Sequence, residues 1–311
     1  MKTGKVIQTT GANHFVECDG NIYSCIIKGK LRLKGYRSTN PLAVGDIVDY
    51  EETEKLLGVI TKIHNRKNCI IRKSTNLSKE THIIAANIDQ AVIVFTLRNP
   101  ETTTVFLDRL LVAAESYSIP SIIVINKTDI YNYEDLSKVS KIASIYTDIG
   151  FKTIEISVKE DININLIAEL LKDKTSLIAG HSGVGKTSFI NAIAPEYNLK
   201  TGVISESHLA GKHTTTFAQM LKLPFGGYVI DTPGIMGFGL VKLKKKEIYH
   251  YFPEIFAMSH SCKYQNCTHI NEPECAVKSA VEEGRIAYSR YKSYLNIYFD
   301  EDDKHRVKEG G

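Results

Sequence analysis

The chain has 311 residues, of which 43% are hydrophobic and 24% charged, and its net charge is +4. This size suggests two or three domains whose cores need no disulfide staples. The longest apolar runs, such as 91–97 and 119–125, are far shorter than the roughly 20 residues that span a bilayer. The N-terminus lacks a charged-then-apolar leader. A cytoplasmic protein with no membrane partner is therefore expected; a monomer is expected as well, although nothing in the sequence fixes the oligomeric state.

Charge is uneven. Residues 1–80 hold 14 Lys/Arg against 8 Asp/Glu, whereas the remainder is slightly acidic. A basic N-terminal part fits a polyanion partner, and equally an ordinary solvated surface.

Five short segments rich in Val, Ile, Tyr, Phe and Thr come first, at 4–10, 14–18, 22–27, 46–51 and 58–63. Asp19-Gly20 is a hairpin signal. Five strands in about 60 residues predict a small β-barrel of the OB-fold kind over residues 1–63. The stretch between the third and fourth strands carries Lys28, Lys30, Arg32, Lys34 and Arg37 around Tyr36. Barrels of this kind bind RNA through such basic loops, although a solvated loop has the same composition. Residues 64–84, with Arg66, Lys67, Arg72 and Lys73, read as a basic connector.

From about residue 85 to 240 the pattern becomes α/β. Strands are predicted at 89–97, 121–125, 152–156 and 175–179, and helices at 104–117, 136–149, 166–171 and 186–194. Strands alternating with helices of this length predict a doubly wound sheet. Residues 241–299 read as polar and mainly helical. The charged tail 300–311 reads as disordered.

The strongest motif is Gly180-His181-Ser182-Gly183-Val184-Gly185-Lys186-Thr187, followed by Ser188. It fits G-x-x-x-x-G-K-[ST] between a strand and a helix, the context a phosphate-binding loop requires. Its backbone amides and the helix N-terminus suit phosphate oxygens. Lys186 is expected at the β- and γ-phosphates and Thr187 on Mg²⁺. Asp231-Thr232-Pro233-Gly234 follows an apolar strand, so Asp231 suits Mg²⁺ through water, and Gly234 lets the next segment approach a γ-phosphate.

Asn126-Lys127-Thr128-Asp129 follows another strand. A carboxylate there can accept from guanine N1–H and the N2 amine, a donor pair adenine lacks. Ser157-Val158-Lys159 follows the next strand, where a backbone N–H can reach guanine O6. Separately each motif is weak, and together they select guanine. Their chain order is unusual, with the base-reading motifs ahead of the phosphate loop. Loops at the C-terminal ends of parallel strands meet in space whatever their order, so the domain reads as a circularly permuted GTPase.

Six cysteines are present. Cys18, Cys25 and Cys69 are scattered and read as small buried hydrophobes. Cys262-x4-Cys267-x-His269-x5-Cys275 supplies three thiolates and one imidazole, a closed tetrahedral set for one structural Zn²⁺.

Basic barrel, permuted GTPase and Cys/Cys/His/Cys site together resemble the ribosome small-subunit-dependent GTPase A (RsgA/YjeQ) family over nearly the whole chain. Further matching stretches are 85–89, 211–216 and 262–285. The resemblance implies slow GTP hydrolysis to GDP stimulated by the small ribosomal subunit, a role late in that subunit's maturation, and contacts of the barrel and zinc domain with ribosomal RNA. Val158 departs from a more usual Ala, and Asn271 from a frequent second His. One of Thr214–Thr216, with Thr215 central, is expected on Mg²⁺. Ile235 stands where many GTPases carry a water-orienting Gln. His213 is the nearest polar candidate for that work, or else an ordinary loop histidine. Two other readings are an RNA-binding GTPase switch with a non-ribosomal target and a nucleotide-locked RNA-binding scaffold.

Overall fold

The computed structural model describes residues 1–10, 13–29, 41–73, 81–199, 218–231 and 243–299. Lys30, Arg32, Lys34, Arg37, the segment 211–216 with His213 and Thr215, Gly234, Ile235 and the tail 300–311 lie outside the described residues.

β1 (Lys2–Thr10), β2 (Asn13–Cys18), β3 (Asn21–Ile27), β4 (Ile47–Glu54) and β5 (Leu57–Ile63) follow one another in the order β1-β2-β3-β5-β4. β1 also pairs with β4, from Lys2 opposite Tyr50 to Lys5 opposite Ile47, which closes the barrel. β3 runs parallel to β5 and the other pairs are antiparallel. Closure leaves no exposed edge. Val6, Val16, Cys25, Val48, Tyr50 and Ile60 fill the interior. Of the scattered cysteines only Cys25 is buried, and Cys18 and Cys69 are half-buried.

The stretch expected to be a connector contains a hairpin, β6 (Cys69–Lys73) with β7 (Thr81–Ala86). Around it Arg66 forks onto Asp46 at 2.6 Å through both Nε and Nη2.

The α/β part is a six-stranded sheet in the order β10-β9-β8-β11-β13-β12. It comprises β8 (Gln90–Phe95), β9 (Ser121–Ile125), β10 (Lys152–Glu155), β11 (Thr175–Gly180), β12 (Gln219–Lys222) and β13 (Tyr228–Asp231). All pairs are parallel except β12 with β13. Parallel strands covered on both faces read as continuous apolar runs because each face needs its own hydrophobic set. On β8, Ala91, Ile93 and Phe95 face one core while Val92 and Val94 face the other. The first core lies under α1 (Thr104–Ser116) and α2 (Tyr133–Asp148), and the second under α3 (Ile164–Leu171) and α4 (Lys186–Ile193). α2 starts before the expected 136 because Asn132 and Asp135 form a capping box.

β1 pairs with β12 at Gln8 opposite Gln219, which joins barrel to sheet. Glu17 reinforces that seam by accepting from Lys222 at 2.5 Å and from the Tyr228 hydroxyl at 2.7 Å.

The C-terminal part holds a 3-10 helix (Lys245–Tyr251), α5 (Pro253–Ser259), α6 (Ala276–Glu282) and α7 (Tyr288–Phe299). Its core of Phe252, Ile255, Val277, Tyr294 and Ile297 also takes in Val112 from α1, so it packs directly on the α/β sheet's outer helix. Among the described residues no helix is long and apolar enough to cross a membrane.

Candidate nucleotide site and metal centre

The loop between β11 and α4 is shaped by two glycines in conformations that other residues resist. Gly180 has φ +148°, and a Cβ there would stand 2.4 Å from the Val94 carbonyl oxygen. Gly185 has φ +98°, and its Cβ would stand 2.5 Å from Asn126 Nδ2. Val184 is buried, which anchors the loop, while His181, Ser182 and Gly183 are exposed. No side chain caps the α4 N-terminus at Gly185. Lys186 Nζ donates to the carbonyls of Gly180 and His181, each at 2.8 Å, and so lies across the loop mouth. Thr187 and Ser188 are half-buried on the first turn of α4.

The Asn126–Asp129 motif meets this loop despite lying far from it in sequence. Buried Asn126 donates from Nδ2 to the Val184 carbonyl at 2.9 Å. Lys127, with φ +67°, donates from Nζ to the Gly183 carbonyl at 2.8 Å and also to the Asn99 carbonyl. Asp129, on the 3-10 turn Thr128–Ile130, accepts from the Ser157 hydroxyl at 2.6 Å. The Glu160 amide donates to Ser157 Oγ at 3.1 Å, and Thr128 Oγ1 donates to the Ile156 carbonyl at 3.1 Å. Val158 is half-buried and Lys159 is exposed beside Glu160. The phosphate loop, the Asn-Lys-Thr-Asp turn and the Ser157 turn therefore form one hydrogen-bonded surface at the C-terminal ends of β9, β10 and β11. Asp231 closes β13, the parallel neighbour of β11.

Tyr131 is a supporting residue without any motif to announce it. Its hydroxyl donates to the Asn126 carbonyl and accepts from the Leu97 amide, both at 2.8 Å. A single tyrosine two residues beyond Asp129 has no spacing signal.

In the C-terminal part Cys262, Cys267, His269 and Cys275 bring their ligand atoms within 4.8 Å of one another. Cys262 Sγ is 3.5 Å from His269 Nδ1 and 3.9 Å from Cys275 Sγ. Cys275 Sγ is 3.6 Å from His269 Nδ1. These residues could hold a metal ion. Burial lowers the His269 pKa, which favours the neutral imidazole that ligates metals. Burial alone would raise the Glu272 pKa, but hydrogen bonds from Thr268 and Ile270 outweigh it and bring it to about 2. This carboxylate pins the turn that carries His269. Tyr291 donates to the His269 carbonyl at 2.7 Å and Tyr294 to the Thr268 carbonyl at 2.5 Å. Neither tyrosine stood out in the sequence, because both contacts span more than twenty residues.

A parallel sheet bearing a phosphate loop and an Asn-Lys-x-Asp turn, joined in this chain order, defines a circularly permuted P-loop GTPase. The family description RsgA GTPase matches residues 63–241, and RsgA N-terminal domain matches residues 3–60. The chain is 51% identical to the small ribosomal subunit biogenesis GTPase RsgA of Christiangramia forsetii, over 98% of both chains. It is 50% identical to small ribosomal subunit biogenesis GTPase RsgA 2 of Bacteroides thetaiotaomicron, over 98% of this chain and 99% of that one. The crystal structure of YjeQ from Thermotoga maritima superposes with a TM-score of 0.81 at 37% identity, covering 96% of this chain and 97% of the other. YloQ, described as a circularly permuted GTPase, superposes with a TM-score of 0.76 at 32% identity. The chain belongs to the RsgA GTPase family.

Proposed function

We propose that this protein hydrolyses GTP to GDP while bound to the small ribosomal subunit and its rRNA, and that it assists late maturation of that subunit in the cytoplasm. The observation that carries the reading is the direct hydrogen bonding of Asn126 and Lys127 to the loop carbonyls of Val184 and Gly183, which ties base reading to phosphate binding. The relatives' names supply the ribosomal partner.

In this reading Asp129 accepts from guanine N1–H and N2, with Ser157 orienting the carboxylate. The amides of 181–188 and Lys186 hold the β- and γ-phosphates. The Thr187 hydroxyl, one of Thr214–Thr216 and Asp231 through water form a hard-oxygen set that suits Mg²⁺. When bound, Mg²⁺ supplies charge neutralisation across the β- and γ-phosphates. Water attacks in line, and because Ile235 cannot orient it, His213 is assigned that task. Loss of subunit-stimulated hydrolysis in His213→Ala at unchanged GTP affinity tests this assignment.

The Cys/His cluster is assigned to one structural Zn²⁺. A tetrahedron with Zn–S of about 2.3 Å and Zn–N of about 2.0–2.1 Å has edges near 3.6–3.8 Å. Cys262, His269 and Cys275 stand 3.5–3.9 Å apart, close to these edges, and with Cys267 the four ligand atoms lie within 4.8 Å of one another. Four protein ligands leave no open position for catalysis. Exposed Lys28 and the basic residues Lys30, Arg32, Lys34 and Arg37 are assigned to rRNA phosphates. The whole reading is tested by GTP turnover with and without purified small subunits.

A further inference from the structure

Beside the nucleotide site, a side chain replaces the last bond of the ladder between β8 and β9. Phe95 pairs with Ile125, and the Asn126 amide donates to the Phe95 carbonyl at 2.9 Å. In a parallel ladder the next bond would run from the Leu97 amide to the Asn126 carbonyl. The Tyr131 hydroxyl stands in that bond instead, accepting from the Leu97 amide and donating to the Asn126 carbonyl, both at 2.8 Å. Its ring is buried in the core under α1 and α2. Burial raises the Tyr131 pKa, so the hydroxyl keeps its proton at neutral pH. One side-chain oxygen thus satisfies two backbone groups and holds the strand ends apart by its own width.

Each strand end leads into part of the site. From β9 comes the Asn126–Asp129 turn. Asn126 donates to the Val184 carbonyl at 2.9 Å, and Lys127 donates to the Gly183 carbonyl at 2.8 Å and to the Asn99 carbonyl. From β8 comes a loop that closes on itself. Thr96 Oγ1 donates to the Pro100 carbonyl at 2.7 Å, and the Thr102 amide donates to the Thr96 carbonyl at 3.0 Å. The phosphate loop rests on it, since a Cβ on Gly183 would stand 3.4 Å from Pro100 Cδ. Arg98 Nε donates to Asp135 Oδ2 at 2.8 Å, and Asp135 belongs to the capping box that starts α2. Tyr131 therefore bonds the backbone of both the base-reading turn and the loop that supports the phosphate site. A water could satisfy the same amide and carbonyl. It would not fix their separation, whereas a ring packed in the core does.

We propose that Tyr131 is a positioning residue of the guanine site. Standing in the last rung between β8 and β9, it sets the Asn126–Asp129 turn against the phosphate loop, so that Asp129 meets the guanine N1–H and N2 amine together. This rests on the reading that Asp129 recognises guanine, and adds the group that holds the reader in register.

The test uses the full chain. Affinities for GTP and for inosine triphosphate, which lacks the N2 amine, are measured for wild type and Tyr131→Phe, together with the melting temperature. Phenylalanine keeps the ring and removes only the inserted hydroxyl. GTP affinity should fall about tenfold, and the preference for GTP over inosine triphosphate should shrink about threefold or more, the scale of a buried amide and carbonyl losing their shared partner. The preference shrinks because a displaced carboxylate loses most at the amine. A packing role alone would lower the melting temperature and weaken both nucleotides by one factor, and that result overturns the proposal. Unchanged affinity for both nucleotides overturns it as well, while leaving the guanine reading intact. A wild type that binds both nucleotides equally removes the guanine reading and the proposal with it. If Tyr131→Phe does not fold, hydrogen exchange at the Leu97 amide of wild type decides. GDP should slow that exchange about tenfold or more, through the seated turn, and exchange unchanged by GDP refutes the proposal.

Discussion

Arg290 and Asp108 lie 182 residues apart in the chain, yet Arg290 Nη1 donates to Asp108 Oδ1 at 2.5 Å with both side chains essentially excluded from water. Arg290 also forks onto Glu254 at 2.7 and 3.2 Å, and Tyr146 donates to Asp108 at 2.7 Å. The guanidinium stacks near Tyr146 and Phe252, at 5.4 and 4.7 Å. Burial would lower the Arg290 pKa, but the two carboxylates outweigh it and raise it. This cluster pins the C-terminal part, which carries the Cys/His set, to α1 and α2 of the GTPase sheet.

Removing one member of a buried pair strands the other, at about 3–5 kcal/mol. Arg290→Met is therefore expected to lower stability by about that amount. Thermal or denaturant unfolding checks it. A cost below about 1 kcal/mol would show that the cluster does not hold the two parts together.

Asp129→Asn exchanges an acceptor for a donor opposite the guanine amine. GTP affinity should fall at least tenfold, and xanthosine triphosphate, which carries an acceptor there, should bind better than GTP. Competition binding with both nucleotides measures this. An unaltered preference for GTP would show that Asp129 does not read the base.

Much of this was legible in the chain. The barrel, the alternating strands and helices, and the Cys/His spacing each follow from local patterns, and the permuted motif order needed only the rule that strand ends converge. What escaped were contacts between distant residues with no pattern of their own. The Asp108–Arg290 pair, Tyr131 beneath Asn126, and Tyr291 and Tyr294 at the turn that carries His269 belong to this class. The hairpin Cys69–Lys73 with Thr81–Ala86 was hidden because its basic residues mimic a linker. Asn132 and Asp135 do carry the fixed spacing of a capping box, but that spacing went unread and the helix was expected to begin at 136, three residues late.

Structural zinc contributes binding energy directly to folding. Cys267→Ala, or stripping with a strong chelator, should remove about one equivalent of zinc per chain and destabilise residues 243–299, with GTP affinity changed less than threefold. Elemental analysis and hydrogen exchange measure the two effects. Wild-type protein that contains no zinc after expression in zinc-replete medium would remove the assignment.

The barrel–sheet seam should be acid-sensitive. Burial would raise the pKa of Glu17, but hydrogen bonds from Lys222 and Tyr228 more than offset it, so the net shift is downward. Asp89 behaves alike, with Lys67 and the Thr175 amide overcoming burial. A carboxyl with a lowered folded-state pKa adds stability above its unfolded value, about 4, and loses it as pH falls through the folded value. Glu17→Gln should thus cost up to about 1 kcal/mol at pH 7, reduced by the exposure of Lys222. The gap from wild type should narrow at pH 3. Melting curves at both pH values check this, and a gap that widens in acid would contradict it.

The most direct measurement is GTP hydrolysis by the purified chain, with and without saturating small ribosomal subunits. Free protein should turn over slowly, because Ile235 offers no hydrogen bond to the attacking water. Added subunits should raise the rate at least tenfold, whereas large subunits should leave it unchanged. Equal rates with and without small subunits, under conditions where the protein co-sediments with them, would contradict the account.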